Sequence, residues 1–425
     1  MPTVMTSPPR PVRRSLPWLL AGLSMIGPFS IDAMFPAFPL IGARFGVDAA
    51  QLQQMISMYL ITYAVMSLFH GAISDAIGRK PVIVAGMVVY ALASAGAAMS
   101  TSYTMLLSCR ALQGMCAGAG LVVGRAVVRD SLEGAAAQQL MSRVMMIFSV
   151  APVIAPIVGA QLLFLGGWHG IFWVLMGFTL VLAVALVMFL EETHPPAART
   201  SFHGGDLVRS YVGFGRDRVF WPLLISLSVN FAALFLYISS APQIIRNLLH
   251  LSAQGFPWLF LPVVIGLVCG AWMSGRLANR RSVAFTVNLG YAALLSACGL
   301  HVLLALVMRE PVLPWSVLPL FVHGIGVQLA FPTLTLLLLD RFPHRRGGVS
   351  SVQAFASLLL CAFVAGVLSP MLSGHMLYLA LGASVLTVSG WLAWRWYQRL
   401  TGKPRAPTPS PTVETEFEAE IAEPQ

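Results

Sequence analysis

Long apolar segments recur along almost the whole chain. Most contain about the 20 residues that a helix needs to cross a hydrocarbon core of ~30 Å. Charged residues make up 10% of the chain, far below the ~25% of ordinary soluble domains. The pattern predicts an all-α polytopic membrane protein with twelve spans, at 17–40, 51–73, 81–100, 103–126, 140–165, 170–190, 219–242, 254–275, 283–307, 314–339, 349–370 and 374–396.

The distribution of Lys and Arg supports this count. Short cytoplasmic connections collect basic residues, and the even-numbered connections and both tails hold most of those in this chain. The other connections hold Arg44, Arg246 and Arg309. We therefore expect a multi-pass protein of the inner (cytoplasmic) membrane with both termini in the cytoplasm. The net charge of +10 is then a topology signal and does not indicate nucleic-acid binding.

A polar, basic segment with Pro and Gly at 191–218 divides the spans six and six. The expected organisation is a cytoplasmic tail at 1–16, a six-helix bundle at 17–190, a cytoplasmic linker at 191–218, a second six-helix bundle at 219–396 and a tail at 397–425. The C-terminal tail is rich in Pro and Glu, which predicts a disordered segment.

The sequence lacks the usual marks of an enzyme. It has no paired Cys/His metal spacing, no nucleotide loop of the GxxxxGK type and no convincing Ser/His/Asp arrangement. We expect no enzymatic activity, no cofactor and no metal. Transport without an ATP site would draw on an ion gradient.

Two loops repeat each other, as expected of a duplicated transporter. "GAISDAIGRK" at 71–80 follows the second span, and "GRLANRRS" at 275–282 follows the eighth. Gly71 aligns with Gly275, and Asp75 aligns with Asn279. The repeat predicts two pseudo-symmetric halves.

Three motifs carry a resemblance to a known family. The first loop is similar to a signature of Gly followed by Asp-Arg-x-Gly-Arg-Lys, with Ala76 in place of the first Arg. "RALQGMCAGAG" at 110–120 is similar to the fourth-span signature Arg-x-x-Gln-Gly. "APVIAPIVGA" at 151–160 resembles the fifth-span antiporter signature, with alanines at three glycine positions. The matching residues are Gly71, Asp75, Gly78, Arg79, Lys80, Arg110, Gln113, Gly114, Pro156 and Gly159.

From about residue 17 to 396, the chain thus resembles a twelve-span drug:proton antiporter of the major facilitator superfamily. "GRAVVRD" and "FPAFP" add likeness to its bicyclomycin and chloramphenicol resistance branch. The resemblance implies two six-helix bundles around a central cavity that is lined by the first and fourth helices. It also implies alternating access and a monomer.

Asp32 is the only acidic residue deep within a predicted span. At 1.5 Å per residue it lies about 21 Å from the cytoplasmic side, and Arg110 on the fourth span lies about 20 Å from that side. An intramembrane ionisable residue is a functional candidate, so Asp32 and Arg110 are predicted to form the proton-coupling site. The alternative is that Asp32 is a structural partner of Arg110 or of freed backbone groups.

Substrate contacts are less clearly encoded. Aromatic and amide side chains in the cavity spans suit amphiphilic molecules, although packing or lipid contact is the favoured explanation for any single aromatic residue, and the amides are the better candidates. The candidates are Tyr59, Tyr63, Gln113, Asn230, Tyr237 and Gln328.

A gate is predicted at the cytoplasmic surface from Gly71, Asp75, Gly78, Arg79 and Lys80. Asp75 is expected to face the start of the eleventh span at 347–351, where free backbone N–H groups and the helix dipole attract an acid. This contact would latch the two halves shut on the inside. The alternative is a surface acid neutralised by Arg79 and Lys80.

These features predict proton-coupled export of small drugs such as chloramphenicol- or bicyclomycin-like compounds. The predicted partners are a small-molecule substrate, protons and the lipid bilayer, without nucleic acid. One alternative is a proton-coupled exporter of a metabolite such as an amino acid. A non-transporting membrane sensor is disfavoured by the short linker.

Overall fold

The computed structural model describes residues 15–132, 134–199, 204–278, 280–308 and 310–402. In these residues the chain is helical, without a β-strand. A short linker helix, Gly204–Gly215, lies between the sixth and seventh of its long helices. We number the long helices α1 Leu16–Phe45, α2 Ala49–Ile77, α3 Arg79–Ala98, α4 103–131, α5 134–165, α6 168–189, α7 Phe220–Leu248, α8 Phe256–Ala278, α9 Val283–Val307, α10 Leu318–Arg341, α11 Arg346–Leu372 and α12 Met376–Thr401.

Ten described segments are long and apolar enough to cross a membrane by length and composition. One of them, Val150–Phe189, holds two helices, because Gly166 and Gly167 leave helical geometry. α4 is not among the ten, and a π-helical turn at Ala119–Val123 interrupts it. The described helices are therefore consistent with the twelve predicted spans.

Local signals set several of the connections. Asp48 accepts a hydrogen bond from the backbone of Gln51 at 2.7 Å, and the Gln51 side chain accepts one from the Asp48 backbone at 3.0 Å, which caps α2. Gly78 separates α2 from α3 with φ of 115°, a conformation that L side chains rarely adopt. A Cβ at this position would also lie 2.6 Å from the carboxylate of Glu192. The short turn therefore requires glycine.

Close backbone contacts hold equivalent helix pairs together in the two halves. A Cβ on Gly114 of α4 would overlap the carbonyl oxygen of Tyr59 on α2. In the second half, a Cβ on Gly266 of α8 would overlap the carbonyl oxygen of Phe321 on α10. Small residues allow such approaches between membrane helices. The second and fourth helices of each half are thus packed backbone to backbone.

The end of the bundle opposite the linker helix, which we call the distal end, is closed by contacts between the halves. The Phe35 ring on α1 stacks on Phe256 and Phe260 of α8, with centroids 6.2 and 6.4 Å apart. The Gln53 side chain on α2 donates to the carbonyl oxygen of Ser239 on α7 at 2.7 Å. Aromatic packing and hydrogen bonds therefore join the halves at this end.

The opposite end, which we call the linker end, carries the linker helix. The Tyr211 hydroxyl donates to the carbonyl oxygen of Leu68 on α2 at 2.7 Å. Phe214 is buried and lies against Phe342 and against the backbone of Gly348 on α11. The linker helix thus contacts both halves. The predictions for 1–14 and 403–425 lie outside the described residues, and α12 continues past residue 396 to Thr401.

Candidate functional site

Asp32 ends the first helical segment of α1, and 3% of its surface is exposed. Among the described residues, its carboxylate has no hydrogen bond or ion pair. Phe35 lies one turn further along and reaches α8, so Asp32 lies next to the contact between the halves. Beside it, the Ala33 backbone lies so close to Gly159 of α5 that a Cβ on Gly159 would overlap it. Buried Pro156 precedes Gly159 by about one turn.

Arg110 lies in the interior of the first half and is fully buried. Its Nη1 donates to Ser30 Oγ at 2.8 Å and to Gln113 Oε1 at 2.6 Å. Its Nε donates to the carbonyl oxygen of Met55 at 3.3 Å. The guanidinium carbon lies 4.5 Å from the centroid of the Tyr59 ring, a cation–π contact. Side chains and backbone of α1, α2 and α4 therefore fix this cation.

The hydrogen bonds around Arg110 continue into α3. Gln113 donates to Ser94 Oγ at 2.7 Å, and the Tyr90 hydroxyl donates to Ser30 Oγ at 2.7 Å. We call Ser30, Tyr90, Ser94, Arg110 and Gln113 the arginine cluster. Every member is buried. The hydrogen bonds of Nη1 and Nε fix the position of the guanidinium in this low-dielectric interior, whereas Nη2 has no hydrogen-bond partner among the described residues.

The predicted proximity of Asp32 and Arg110 does not produce an ion pair. Among the described residues, no salt bridge or hydrogen bond joins them. Ser30 faces Arg110, and Asp32 lies two residues further along the helix, which turns it by about 200°. Asp32 therefore points away from the arginine cluster. In this conformation Arg110 is not its structural partner.

The candidates for substrate contact do not share one surface. The Tyr59 ring lies against the Arg110 guanidinium, and the Tyr63 ring meets the Tyr59 ring edge-on, with centroids 6.2 Å apart. Gln113 is fully buried in the first half, and Tyr237, 2% exposed, is buried in the second. Gln113 contacts residues of the first bundle and Tyr237 contacts residues of the second, so in this conformation neither lines a cavity that is open to both halves.

The remaining two candidates lie in the second half. Asn230 is buried, and neither atom of its amide makes a hydrogen bond with acceptable geometry to a described residue, although it lies near the Tyr291 hydroxyl. Gln328 is half-buried on α10, with its Cβ facing Gly270 of α8. Of the two, Asn230 is the one whose amide is buried without a hydrogen-bond partner among the described residues.

The residues of the predicted gate form a network inside the first half. The buried Arg79 pairs with Asp75 at 2.5 Å and with Asp130 at 3.0 Å. Glu192 accepts hydrogen bonds from the backbone N–H groups of Arg79 and Lys80 at 3.0 and 3.2 Å. These contacts close the ends of α2, α3 and α4 around one guanidinium.

The predicted contact of Asp75 with the start of α11 is absent from this conformation, since its carboxylate pairs with Arg79. Gly71 does face α11, because a Cβ there would lie 4.0 Å from Ser351 Oγ. Asn279 lies outside the described residues. The loop thus approaches α11 through Gly71, whereas its acid stays within the first half.

The sequence analysis missed two groups of residues. His301 on α9 and His323 on α10 lie against Tyr237, with ring centroids 5.0 and 6.2 Å apart, and both imidazoles have an unpaired Nε2. Arg125 on α4 lies in an open crevice. All three are ionisable residues within spans, and a survey that included histidine would have found the pair. Among the described residues, no cluster of three or more His, Cys, Asp or Glu side chains is arranged to hold a metal ion.

Comparisons with known proteins agree with this architecture. The sequence profile of the Major Facilitator Superfamily matches residues 20–370. The chain is 31% identical over 359 residues to the uncharacterized MFS-type transporter YdgK of Bacillus subtilis (strain 168), covering 83% of this chain and 88% of the relative. It is 26% identical over 344 residues to a chloramphenicol resistance protein of Pseudomonas aeruginosa, covering 79% and 78%.

A solved structure shares the fold. The human organic anion transporter MFSD10 (TETRAN) superposes with a TM-score of 0.65 at 20% identity, covering 90% of this chain and 98% of that chain. At this identity the likeness concerns the arrangement of helices alone.

Proposed function

Because this chain belongs to the Major Facilitator Superfamily, with relatives in its bicyclomycin and chloramphenicol resistance branch, we propose that it exports small drugs in exchange for protons. The observation that carries the proposal is Asp32, a buried carboxylate without a partner among the described residues. It lies beside the contact between the halves. An isolated buried carboxylate is costly in its charged form, so burial favours proton binding.

Proton release would follow a change in the surroundings of Asp32. Opening the distal end would separate Phe35 from Phe256 and Phe260 and admit water one turn from Asp32. Hydration favours the charged carboxylate. Gly159 supports this coupling, because its backbone contact with Ala33 joins α5 to the residue next to Asp32. Proton occupancy of Asp32 and separation of the halves would then depend on each other.

In the proposed orientation, the linker end lies on the cytoplasmic side of the inner membrane. The basic residues of the connections support it, since cytoplasmic loops are rich in Lys and Arg. Closure of the distal end then corresponds to a state that takes up substrate from inside. The contact that holds the opposite state closed would involve the loop from Gly71 to Lys80, which already approaches α11 at Ser351.

The experiment is chloramphenicol flux into proteoliposomes under an imposed pH gradient. Asp32→Asn keeps the size of the side chain and removes titration, so we expect gradient-driven flux to fall to the level of protein-free liposomes. Asp340→Asn, which changes an exposed carboxylate at the linker end, is the control and should transport normally. Normal flux and a normal pH response in Asp32→Asn would exclude Asp32 as the coupling site.

A parallel flux measurement with labelled amino acids tests the alternative that the protein exports a metabolite. Amino-acid exchange without chloramphenicol flux would replace the drug exporter with a metabolite exporter. No gradient-dependent flux of any compound would contradict transport itself.

A further inference from the structure

Arg125 is a cation within a membrane helix that faces open space. It lies on α4, six residues before Ser131 at the linker end of the helix, which places its Cα about 9 Å from that end. Its side chain is exposed, in contrast to Arg110 on the same helix, which is fully buried. Charged residues in spans usually face a water-filled cavity or a functional partner.

The open space is a crevice between α1, α4 and α5. Among the residues that the structure describes, the walls are mostly apolar and Arg125 is the one charged lining residue. Gly124 keeps it narrow, because a Cβ there would lie 3.2 Å from Leu20. The other side chains that line it include Leu20, Ser24, Val128, Met141 and Val144.

Arg125 has no anionic partner in the part of the chain that the structure describes. No hydrogen bond or ion pair is formed by its guanidinium, and its electrostatic neighbour is the Tyr63 hydroxyl. Asp75 and Asp130, two acids at the same end of the bundle, both pair with Arg79. The guanidinium therefore keeps all five of its N–H donors for another group.

The backbone ahead of Arg125 is adapted to this orientation. The π-helical turn Ala119–Val123 directly precedes Gly124 and Arg125. A π-turn inserts one extra residue, and one residue corresponds to about 100° of helix rotation. Without the insertion, Arg125 would point to a different side of α4. Such insertions are frequent at functional sites.

We infer that Arg125 and its crevice bind the acidic head of an amphiphilic anion. A guanidinium pairs with the two oxygens of a carboxylate or phosphate through a planar fork, and apolar side chains of the crevice such as Leu20, Val128 and Met141 would contact the chain next to the acidic head. The inference rests on the proposed function insofar as the anion is export cargo. The same chemistry comes from two sources, a dissolved substrate and an acidic lipid of the inner leaflet.

The experiment measures binding of 11-(dansylamino)undecanoic acid to the purified full-length protein in nanodiscs of phosphatidylcholine. Arg125→Gln should weaken binding of this acid about tenfold, the loss expected for a hydrogen bond to a charged group. Binding of the methyl ester of the same compound should not change. Arg129→Gln is the matched control, because Arg129 is exposed one turn further along the same helix. It should bind the acid normally.

Equal affinity of the wild type and Arg125→Gln for the acid would overturn the inference, as would an equal loss for acid and ester. Should Arg125→Gln fail to fold, the wild type decides: decanoate should displace the probe, whereas decanol should not. Equal displacement by both would overturn the inference. Competition by phosphatidylglycerol in the nanodisc would identify a lipid source, and its absence a dissolved one.

Flux separates this inference from the proposed function. Arg125→Gln should retain chloramphenicol flux while it loses affinity for the acid, since chloramphenicol carries no acidic group. Absence of chloramphenicol flux in the wild type would contradict the drug exporter and leave the binding result intact. Loss of both chloramphenicol flux and ester binding in Arg125→Gln would assign Arg125 a general structural role and overturn the inference.

Discussion

The two halves use the space between their first, third and fourth helices differently. In the first half, α1, α3 and α4 hold the arginine cluster, in which hydrogen bonds of 2.6 to 2.8 Å surround one guanidinium. In the second half, α7, α9 and α10 hold Tyr237, His301 and His323, which we call the histidine cluster. The His301 ring stacks on Tyr237, the His323 ring meets Tyr237 edge-on, and both imidazoles have an unpaired Nε2 among the described residues.

This difference separates the shared frame from the specialised chemistry. A buried Tyr–Ser hydrogen bond of 2.7 Å joins the third helix to the first in each half, as Tyr90 to Ser30 and as Tyr291 to Ser226. Of the two clusters, the arginine cluster of the first half alone contains a permanent charge, the Arg110 guanidinium. The frame is thus common to both halves, whereas the fixed cation Arg110 on α4 and the isolated Asp32 on α1 belong to the first half alone.

Among the variants that test this comparison, Arg110→Lys is expected to have the largest effect. The ammonium keeps the charge but loses the planar fork that reaches Ser30, Gln113 and Met55 together. Loss of one hydrogen bond to a charged group corresponds to about tenfold or more, so chloramphenicol flux should fall at least that far. The pH optimum of flux should move if Arg110 acts on Asp32 in another conformation. Normal flux would show that charge alone, without the hydrogen-bond geometry, is sufficient.

In the histidine cluster, by contrast, we expect a substitution to stabilise the protein. His301→Phe keeps the stacking on Tyr237, which is nearly coplanar at 10°, and removes a buried nitrogen without a partner. Removing an unsatisfied buried polar atom is worth about 1–3 kcal/mol. We expect a higher melting temperature of the purified protein and normal flux. A lower melting temperature would mean that this nitrogen has a partner in a conformation other than this one.

Tyr90→Phe and Tyr291→Phe test the shared frame. Each removes one buried hydrogen bond to a serine, so each should lower the unfolding free energy by about 1 kcal/mol. Their effects on flux should differ, because Ser30 also accepts a hydrogen bond from Arg110, whereas Ser226 contacts no cation among the described residues. Flux should fall in Tyr90→Phe and stay normal in Tyr291→Phe. Identical flux in both variants would remove the functional distinction between the halves.

The smallest effect concerns the ion pairs at the linker end. Arg79 is buried, whereas Arg341 is half-exposed and pairs with Asp217 at 2.7 Å. Burial, the largest single contribution, acts to raise the pKa of Asp217. The Arg341 hydrogen bond, the Val219 N–H and the Arg341 charge outweigh it, so the pKa lies below its usual value. An exposed pair of this kind contributes about 1 kcal/mol or less.

The sign of the pH dependence follows from this lowered pKa. The stabilisation is present above the unfolded-state pKa of about 4 and is lost as pH falls through the folded-state value. Asp217→Asn should therefore lower the melting temperature slightly at pH 7. The difference from the wild type should shrink on acidification. A difference that grows at low pH would contradict the assignment.

Sequence patterns predicted the membrane helices and the family, and the similar depth of Asp32 and Arg110 stays a prediction. These properties depend on the length, hydropathy and motifs of single segments, because a helix satisfies its own backbone in the membrane. They also predicted that Asp75 lies near Arg79, four residues away on the chain. The predicted proximity of Asp32 to Arg110 failed to give a pair, since depth does not determine which way a side chain points.

Only the tertiary structure determined which side chains contact one another. Ser30 and Asp32 are two residues apart in sequence and about 200° apart around α1, so one contacts Arg110 and the other lies by the contact between the halves. The histidine cluster joins α7, α9 and α10, which hydropathy does not relate to one another. The π-turn in α4 directs Arg125 by a rotation that no composition records. Helix rotation and helix neighbours arise from packing among all twelve segments, so they appear only when the chain is folded.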